Sequence, residues 1–202
     1  MELDHISYVG PDLDPADPVL SGLPRVLARL LEQVNGFVQF DGGLHVRGVC
    51  ESPTWHSLSA VMFGPKALHL RYPGLSATDI PFAQDCLTDQ FLLRDGVVWK
   101  LWAETGELES LNLGPLEFLA QAGTDPVGFL QMQPLLQFLR GGDRLAPGQV
   151  LHVYPPFSTR ESKNGVSIKA VPCEEALDFL ADFARQVAQI PDGSPFQVRV
   201  TP

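Results

Sequence analysis

The segment IPFAQDCLTDQFLLRDGVVWKLWAETGELE, residues 80–109, decides the fold that the sequence predicts. Its two apolar runs, QFLLR and VVWKLW, are joined by Asp95-Gly96, a dipeptide that suits the positive backbone angles of a tight hairpin turn. Thr105-Gly106 predicts a second turn into LESLNL, which gives three antiparallel strands in a meander. Gly114-Pro115 ends the sheet, and PLEFLAQAG predicts a short helix that packs against it.

Helical and strand patterns lie on both sides of this meander. Upstream, residues 24–36 place apolar side chains at helical spacing. Residues 44–49 alternate as a half-buried strand, with His45 and Arg47 on its polar side. The remaining predicted elements are short strands at residues 60–63 and 67–71, a helix over residues 126–139, the strands QVLHVY and VSIKAV, a helix over CEEALDFLADFARQVAQI and an edge strand FQVRV.

These patterns predict an α+β fold in which an antiparallel meander sheet is flanked by helices, because helices and strands are segregated and do not form alternating βαβ units. We divide the chain into an irregular acidic arm (residues 1–19), a domain built on the meander (residues 20–122) and a C-terminal α+β extension (residues 123–202). The extension is expected either to pack on the same sheet or to form a fused lobe. With 45% hydrophobic and 19% charged residues, the composition is that of a globular protein.

The formal net charge of −10 comes from two acidic regions. Residues 1–19 carry five carboxylates and no Lys or Arg, and residues 85–117 carry seven carboxylates against Arg94 and Lys100. Such a field attracts a basic partner and repels nucleic acid and anionic membranes. Charge alone leaves a simpler interpretation open, in which the acidic residues serve only to keep the protein soluble.

Common catalytic and metal-binding motifs are missing from the sequence. It contains no G-x-S-x-G, G-x-G-x-x-G or G-x-x-x-x-G-K-[ST] motif, and its five histidines are scattered singly. The three cysteines lie far apart without a C-x-x-C pair, which predicts reduced thiols in a cytoplasmic protein. The first residues show neither the basic nor the apolar region of a secretion signal, so we expect no cleaved signal. No apolar run reaches the roughly 18 residues that cross a bilayer. We therefore expect no catalysis, cofactor, metal or membrane partner.

Six residues of the central segment are candidates for a partner-binding surface: Asp85, Asp89, Asp95, Trp102, Glu104 and Glu107. Asp85 and Asp89 are equally candidates for a structural role, because a carboxylate at the start of a loop accepts hydrogen bonds from backbone N–H groups. Glu104 and Glu107 flank a turn, and would work as an acid/base pair only inside a pocket.

Trp99 and Trp102 fall on opposite faces of the predicted strand. One of them should therefore lie in the core, and the other should be exposed or covered by a helix, unless a second lobe buries both. An outward tryptophan beside carboxylates is typical of a protein interface.

Several short motifs resemble the SMI1/KNR4 family of the SUKH superfamily: Leu23-Pro24, Asn35-Gly36, IPFA-x-D-xx-x-D over residues 80–89, Asp95-Gly96, W-x-E-T-G-E over residues 102–107 and LEFL over residues 116–119. The similarity covers about half of the chain, residues 23–122, and departs from the family where Thr88 replaces a usual glycine. The resemblance implies an α+β domain. For many bacterial members it also implies an immunity protein that binds and neutralises a cognate toxin, while other members are regulatory or scaffold proteins.

Three functional hypotheses follow. The first is a non-catalytic, cytoplasmic immunity protein whose acidic surface occludes a protein toxin, for example one that acts on nucleic acid through a basic cleft. The second is an intracellular adaptor or regulatory scaffold, and a homodimer is compatible with both. The third, a hydrolase that uses Glu104 and Glu107, requires a concave pocket that contains both carboxylates.

Overall fold

The computed structural model describes residues 5–191, in which seven antiparallel strands form one sheet in chain order. These strands are β1 (Ile6–Val9), β2 (Phe37–Gln39), β3 (Leu44–Val46), β4 (Ile80–Asp85), β5 (Gln90–Arg94), β6 (Val97–Leu101) and β7 (Leu108–Ser110). A second, two-stranded antiparallel sheet consists of β8 (Gln149–Tyr154) and β9 (Ser167–Pro172). The predicted α+β fold with an antiparallel meander is thus confirmed.

Eight helices flank the sheets within the described residues. They are α1 (Pro18–Gly22), α2 (Arg25–Gln33), α3 (Leu58–Met62), α4 (Leu68–Arg71), α5 (Pro115–Thr124), α6 (Pro126–Phe129), α7 (Gln133–Arg140) and α8 (Cys173–Val187). None of the helices described is long and apolar enough to cross a membrane.

The two predicted turns of the meander have the expected geometry. Asp95 and Gly96 have φ angles of 51° and 82°, and Arg94 pairs with Val97 across the turn. These are the backbone angles that a two-residue hairpin loop requires to match the twist of its strands. At the second turn, the Trp102 N–H donates to the Glu107 carbonyl at 2.9 Å, and the chain continues into β7.

Two short segments that were predicted as strands are helices instead. Residues 58–62 form α3, whose N-terminus is capped by the Ser57 hydroxyl accepting from the Ala60 N–H, and residues 68–71 form α4. Short apolar runs do not distinguish a strand from a buried helical turn. Of these two helices only α3 has a side-chain cap, because Ala67 at the start of α4 offers none.

The N-terminal arm also differs from its prediction, because residues 6–9 are an edge strand rather than irregular chain. Tyr8 pairs with Val38 of β2, and side chains of β1 alternate between half-buried and exposed. This alternation is the pattern of a strand with one covered face. The predicted edge strand FQVRV lies outside the described residues.

One apolar core fills the space between the sheet, α2 and α5. Its centre is the fully buried Phe118 of α5, whose ring centroid lies 4.6 Å from that of Phe91 and 5.7 Å from that of Phe82. Leu135 of α7 and Leu151 of β8 belong to the same cluster. The C-terminal extension therefore shares a core with the meander.

The opposite face of the meander is covered by α4 and α8. Leu92 and Leu101 project to this face and pack with Leu177 and Leu180 of α8. Because both faces are covered, β4 is buried along its whole length and β5 at every residue except Arg94. Strands that are buried on both faces have near-continuous apolar sequences, as IPFA and FLL do.

The prediction of a half-buried strand over residues 44–49 with His45 and Arg47 on its polar side is wrong, since β3 ends at Val46 and both residues are buried. Arg47 donates to the Pro81 carbonyl at 2.8 Å and to the Gln84 side-chain oxygen at 2.7 Å. His45 Nε2 lies 2.9 Å from His56 Nδ1, and burial lowers the pKa of both imidazoles. Most of their polar groups are paired internally, although Arg47 Nε has no hydrogen-bond partner within the described residues, so this segment carries polar residues without facing water.

The Phe118 side chain provides a test of this core. Phe118→Ala should lower the free energy of unfolding by about 3–5 kcal/mol, because removal of the ring leaves a cavity between α5 and the meander. Urea titration followed by circular dichroism measures the change. Leu116 on the same helix is 57% exposed, so Leu116→Ala should stay within about 0.5 kcal/mol of the parent protein. Equal losses in the two variants would contradict the core assignment.

Candidate functional site

A buried ion cluster lies where β4 and β6 end and β5 begins. Asp85, Asp89 and Lys100 are only 1%, 6% and 4% exposed. Lys100 Nζ lies 3.3 Å from Asp85 Oδ2 and 2.9 Å from Asp89 Oδ2. The expectation that both aspartates belong to an exposed partner surface is therefore wrong.

The alternative structural role of the aspartates is what the hydrogen bonds show. Asp85 Oδ1 accepts from the N–H groups of Leu87 and Asp89, at 2.9 and 3.0 Å. Asp89 Oδ1 accepts from the Ala103 N–H at 2.8 Å. The first carboxylate thus shapes the turn between β4 and β5, and the second joins this turn to the end of β6.

The two carboxylates of this cluster share a single ammonium, and the pKa values of both carboxyl groups are raised. Burial raises the pKa of Asp85 to about 7, repulsion from Asp89 adds to the shift, and Lys100 opposes it. Burial also raises the pKa of Asp89, and Lys100 opposes this shift as well. Burial by itself would lower the pKa of Lys100, but the two neighbouring carboxylates raise it. The lysine is therefore charged, and the carboxylates compete for it.

Trp102 stands directly over this cluster. Lys100 Nζ lies 3.8 Å from the centroid of its ring, and Trp102 Nε1 donates to Glu109 Oε2 at 3.2 Å. An ammonium at this distance is attracted to the face of an indole. β6 ends at Leu101, so Trp102 belongs to the following turn and remains half-buried, while Trp99 packs against the core under α8.

A cleft of about 540 Å³ opens beside the second meander turn. Its apolar lining comes from Leu87, Trp102, Pro134, Leu151, Val153, Phe157 and Leu180, and its polar lining from Asp89, Glu104, Thr105, Glu107, Gln131, Gln133, His152 and Ser158. The meander contributes one side, and α7, β8, α8 and the loop after β8 contribute the other. Its volume falls within the roughly 300–1,000 Å³ that is usual for ligand sites.

Glu104 connects the two sides of the cleft. Its carboxylate accepts from the backbone N–H of Phe157, at 3.0 Å, and from that of Ser158. Both carboxylate oxygens are thus used to hold the loop that follows β8. Hydrogen bonds to an ionised acceptor are about twice as strong as neutral ones, so this residue acts as a tether.

The Glu107 carboxylate is the polar group that remains available. Within residues 5–191 it makes neither a hydrogen bond nor an ion pair, and the residue is exposed at the rim of the cleft. The side-chain amides of Gln131 and Gln133 line the cleft from the other side. The cleft therefore combines an apolar bed with one free negative charge.

Of the six candidates from the sequence, four lie at this cleft: Asp89, Trp102, Glu104 and Glu107. Asp85 lies behind them in the ion cluster. Asp95 is exposed at the opposite end of β6, seven residues from Trp102, which at about 3.3 Å per residue is roughly 20 Å away. It does not belong to the same site.

Sequence reasoning missed the side of the cleft that the C-terminal extension supplies. Gln131, His152 and Phe157 come from three separate elements, and none belongs to a recognisable motif. Burial lowers the pKa of His152, so this residue brings no positive charge to the cleft at neutral pH. Only their folding onto the meander brings these residues together.

The described residues contain no group of three or more His, Cys, Asp and Glu side chains that could hold a metal ion. Comparison of the chain with protein-family models, curated proteins and solved structures gave no match. The resemblance to the SMI1/KNR4 family therefore stays a prediction, and the site is interpreted from its own geometry.

The raised pKa of Asp85 predicts a distinct pH dependence of stability. Between the value of 3.8 expected for the unfolded chain and about 7, the folded state binds the extra proton. The contribution of this carboxyl is thus fully present at low pH and decreases as the pH rises to about 7. Asp85→Asn lacks this slope, so the stability of the parent relative to the variant should fall by roughly 1–3 kcal/mol from about pH 5 to about pH 8.

Urea unfolding of both proteins across this range measures the difference. The buried pair His45 and His56 is common to both proteins and cancels in the comparison. Asp95→Asn, at an exposed turn position whose positive φ also suits asparagine, is the matched loss of one charge. If the difference in unfolding free energy between the parent protein and Asp85→Asn does not change with pH, the raised pKa of Asp85 is contradicted.

The tether predicts a local change in hydrogen exchange. Glu104→Gln keeps the side-chain shape but replaces one accepting oxygen with an NH₂ group. The amides of Phe157 and Ser158 should therefore exchange roughly tenfold faster or more, as expected for loss of a hydrogen bond to a charged group. Exchange measured by NMR or mass spectrometry tests this, with Glu107→Gln as the control that should leave both amides unchanged. Equal acceleration in the two variants would contradict the tether.

Proposed function

We propose that this chain is a non-catalytic protein-binding module of the immunity type, which neutralises a cognate bacterial toxin in the cytoplasm by occluding it. The site that carries the proposal is the cleft beside Trp102. The proposal includes membership of the SMI1/KNR4 family, for which the motifs around residues 80–107 are the support.

The single observation behind the proposal is the composition of the cleft. It presents a half-buried tryptophan and other apolar side chains next to carboxylates, and within residues 5–191 no Lys or Arg lines it. Aromatic side chains in partly desolvated pockets dominate the binding energy of many protein interfaces. A negative rim favours a basic partner, both in the rate of encounter and in selection against acidic competitors.

The same cleft bears on the hydrolase hypothesis, because it does contain both Glu104 and Glu107. An acid/base pair needs two carboxyl groups that are free to exchange protons with a substrate. Glu104 instead uses both oxygens to accept the N–H groups of Phe157 and Ser158. This occupancy supports binding over hydrolysis.

An adaptor or regulatory scaffold is the second candidate, since the cleft suits any partner of this chemistry. Neutralisation separates the two functions: an immunity protein abolishes the activity of its partner, whereas an adaptor binds without protecting the cell.

Co-expression with the product of the adjacent gene, as a candidate toxin, tests the proposal, with cell survival and co-purification as the two measurements. Glu107→Lys should lower the association rate roughly threefold to tenfold and weaken its salt dependence. Trp102→Ala should weaken capture by roughly 2 kcal/mol or more. Glu51→Lys is the matched control, because Glu51 is exposed and does not line the cleft.

If the Glu107→Lys and Trp102→Ala variants still protect the cell and capture the toxin as well as the parent protein does, the toxin binds to another surface. Capture without survival would favour the adaptor.

A further inference from the structure

We infer that the cleft binds an extended segment of the partner protein, which pairs as an added strand with the edge of β8 that faces the cleft, places an apolar side chain in the cleft and directs a basic side chain to Glu107. This inference rests on the proposed function, because it specifies how the partner is held at that site.

The orientation of β8 is the first observation. Three consecutive residues, Leu151, His152 and Val153, all line the cleft. Side chains of a strand point alternately to opposite faces, so a cleft that meets three successive residues also reaches the backbone of the strand. The cleft is therefore bordered by backbone as well as by side chains.

The hydrogen bonds of β8 identify which backbone groups face the cleft. β8 pairs with β9 in an unbroken register in which Leu151 lies opposite Ala170. The Leu151 N–H is not directed to β9, because it donates to the Cys86 carbonyl at 2.8 Å. The direction of backbone hydrogen bonding alternates along an antiparallel strand, so the N–H and C=O of Val153 point the same way.

Val153, which is 9% exposed, is thus the position on this edge whose backbone faces the cleft. Within residues 5–191, no hydrogen bond joins its backbone to anything outside the β8–β9 pair. The turn that contains Cys86 and Leu87 covers the edge at Leu151, and the cleft begins beyond it. Strand addition to an exposed edge is a recurring mode of peptide recognition, in which main-chain hydrogen bonds supply affinity and pockets for alternate side chains supply specificity.

The lining determines the chemistry of the segment. Val153, Phe157 and Leu180 form an apolar bed for one side chain of an added strand. The carboxylate of Glu107 has no partner within the described residues and meets a cation without displacing another contact. Because Asp89 and Glu104 lie in the same cleft, an acidic segment would be repelled.

The size of the cleft fits a few residues of extended chain. A tripeptide in this conformation spans roughly 10 Å. A free amine would satisfy Glu107 alone and leave the strand edge unused, whereas a rigid, folded face of the partner would contact the rim without entering. These two occupants are the alternatives that the experiment must separate.

The test uses the full-length protein labelled with ¹⁵N and the synthetic peptide acetyl-Val-Arg-Val-Arg-Val-amide. We expect this arginine peptide to bind to the protein. Binding should shift the NMR signal of the Val153 amide and quench the tryptophan fluorescence of the protein. Three probes are compared with it: acetyl-Val-Glu-Val-Glu-Val-amide, the arginine peptide with N-methylated backbone amides, and arginine amide alone. Each of the three should bind at least about tenfold more weakly than the arginine peptide. The glutamate peptide lacks the positive charge, the N-methylated peptide cannot form the backbone hydrogen bonds, and arginine amide lacks the apolar side chain.

The substitution Glu107→Gln should lower the affinity of the protein for the arginine peptide severalfold. The affinity for the N-methylated peptide is already low and should stay so. Equal affinity of the N-methylated and parent peptides would overturn strand addition. Saturation by arginine amide at the same concentration would show a site for a free cation, and failure of the arginine peptide to shift Val153 would overturn the inference.

The outcomes also separate this inference from the proposed function. Co-purification that depends on Glu107 and Trp102, without peptide binding, would retain the function and reject the added strand. Peptide binding without any protection from a toxin would retain the strand site and reject the immunity function.

Discussion

The Lys100 ammonium between Asp85 and Asp89 is the interaction on which the site depends. One carboxylate shapes the turn between β4 and β5, and the other holds the end of β6 through the Ala103 N–H. Without a cation, two carboxylates at this depth would repel each other in a medium that screens charge poorly. The same ammonium lies under the ring of Trp102, so the position of the cleft follows from the charge balance beneath it.

Acidic residues that form one group in the sequence have separate roles in the folded chain. Asp85 and Asp89 are internal, Glu104 joins the loop after β8 to the meander, and Glu107 lies at the rim of the cleft without a side-chain contact within the described residues. Net charge is therefore a poor measure of the binding surface. In the proposed mode of binding, recognition depends on the carboxylate of Glu107 together with the apolar bed and the strand edge beside it.

The sequence was sufficient for features that depend on neighbouring residues. The Asp95-Gly96 turn and the meander were predictable because a two-residue turn with positive φ angles has a strong local signal. The burial of His45 was not, because it depends on His56 and on a segment around residues 145–150 that lies about a hundred residues further along the chain. Likewise, half of the cleft comes from scattered C-terminal residues, and nothing in their local sequence marks them as neighbours of Trp102.

The packing of α8 on the meander also has a consequence for biosynthesis. Leu92 and Leu101 obtain their cover from Leu177 and Leu180, more than seventy residues later in the chain. At typical translation rates of about 5–20 residues per second, a ribosome needs roughly 4–15 s to synthesise that interval. During this time α4 alone covers that apolar face of the nascent meander, which leaves the face prone to aggregation until α8 emerges.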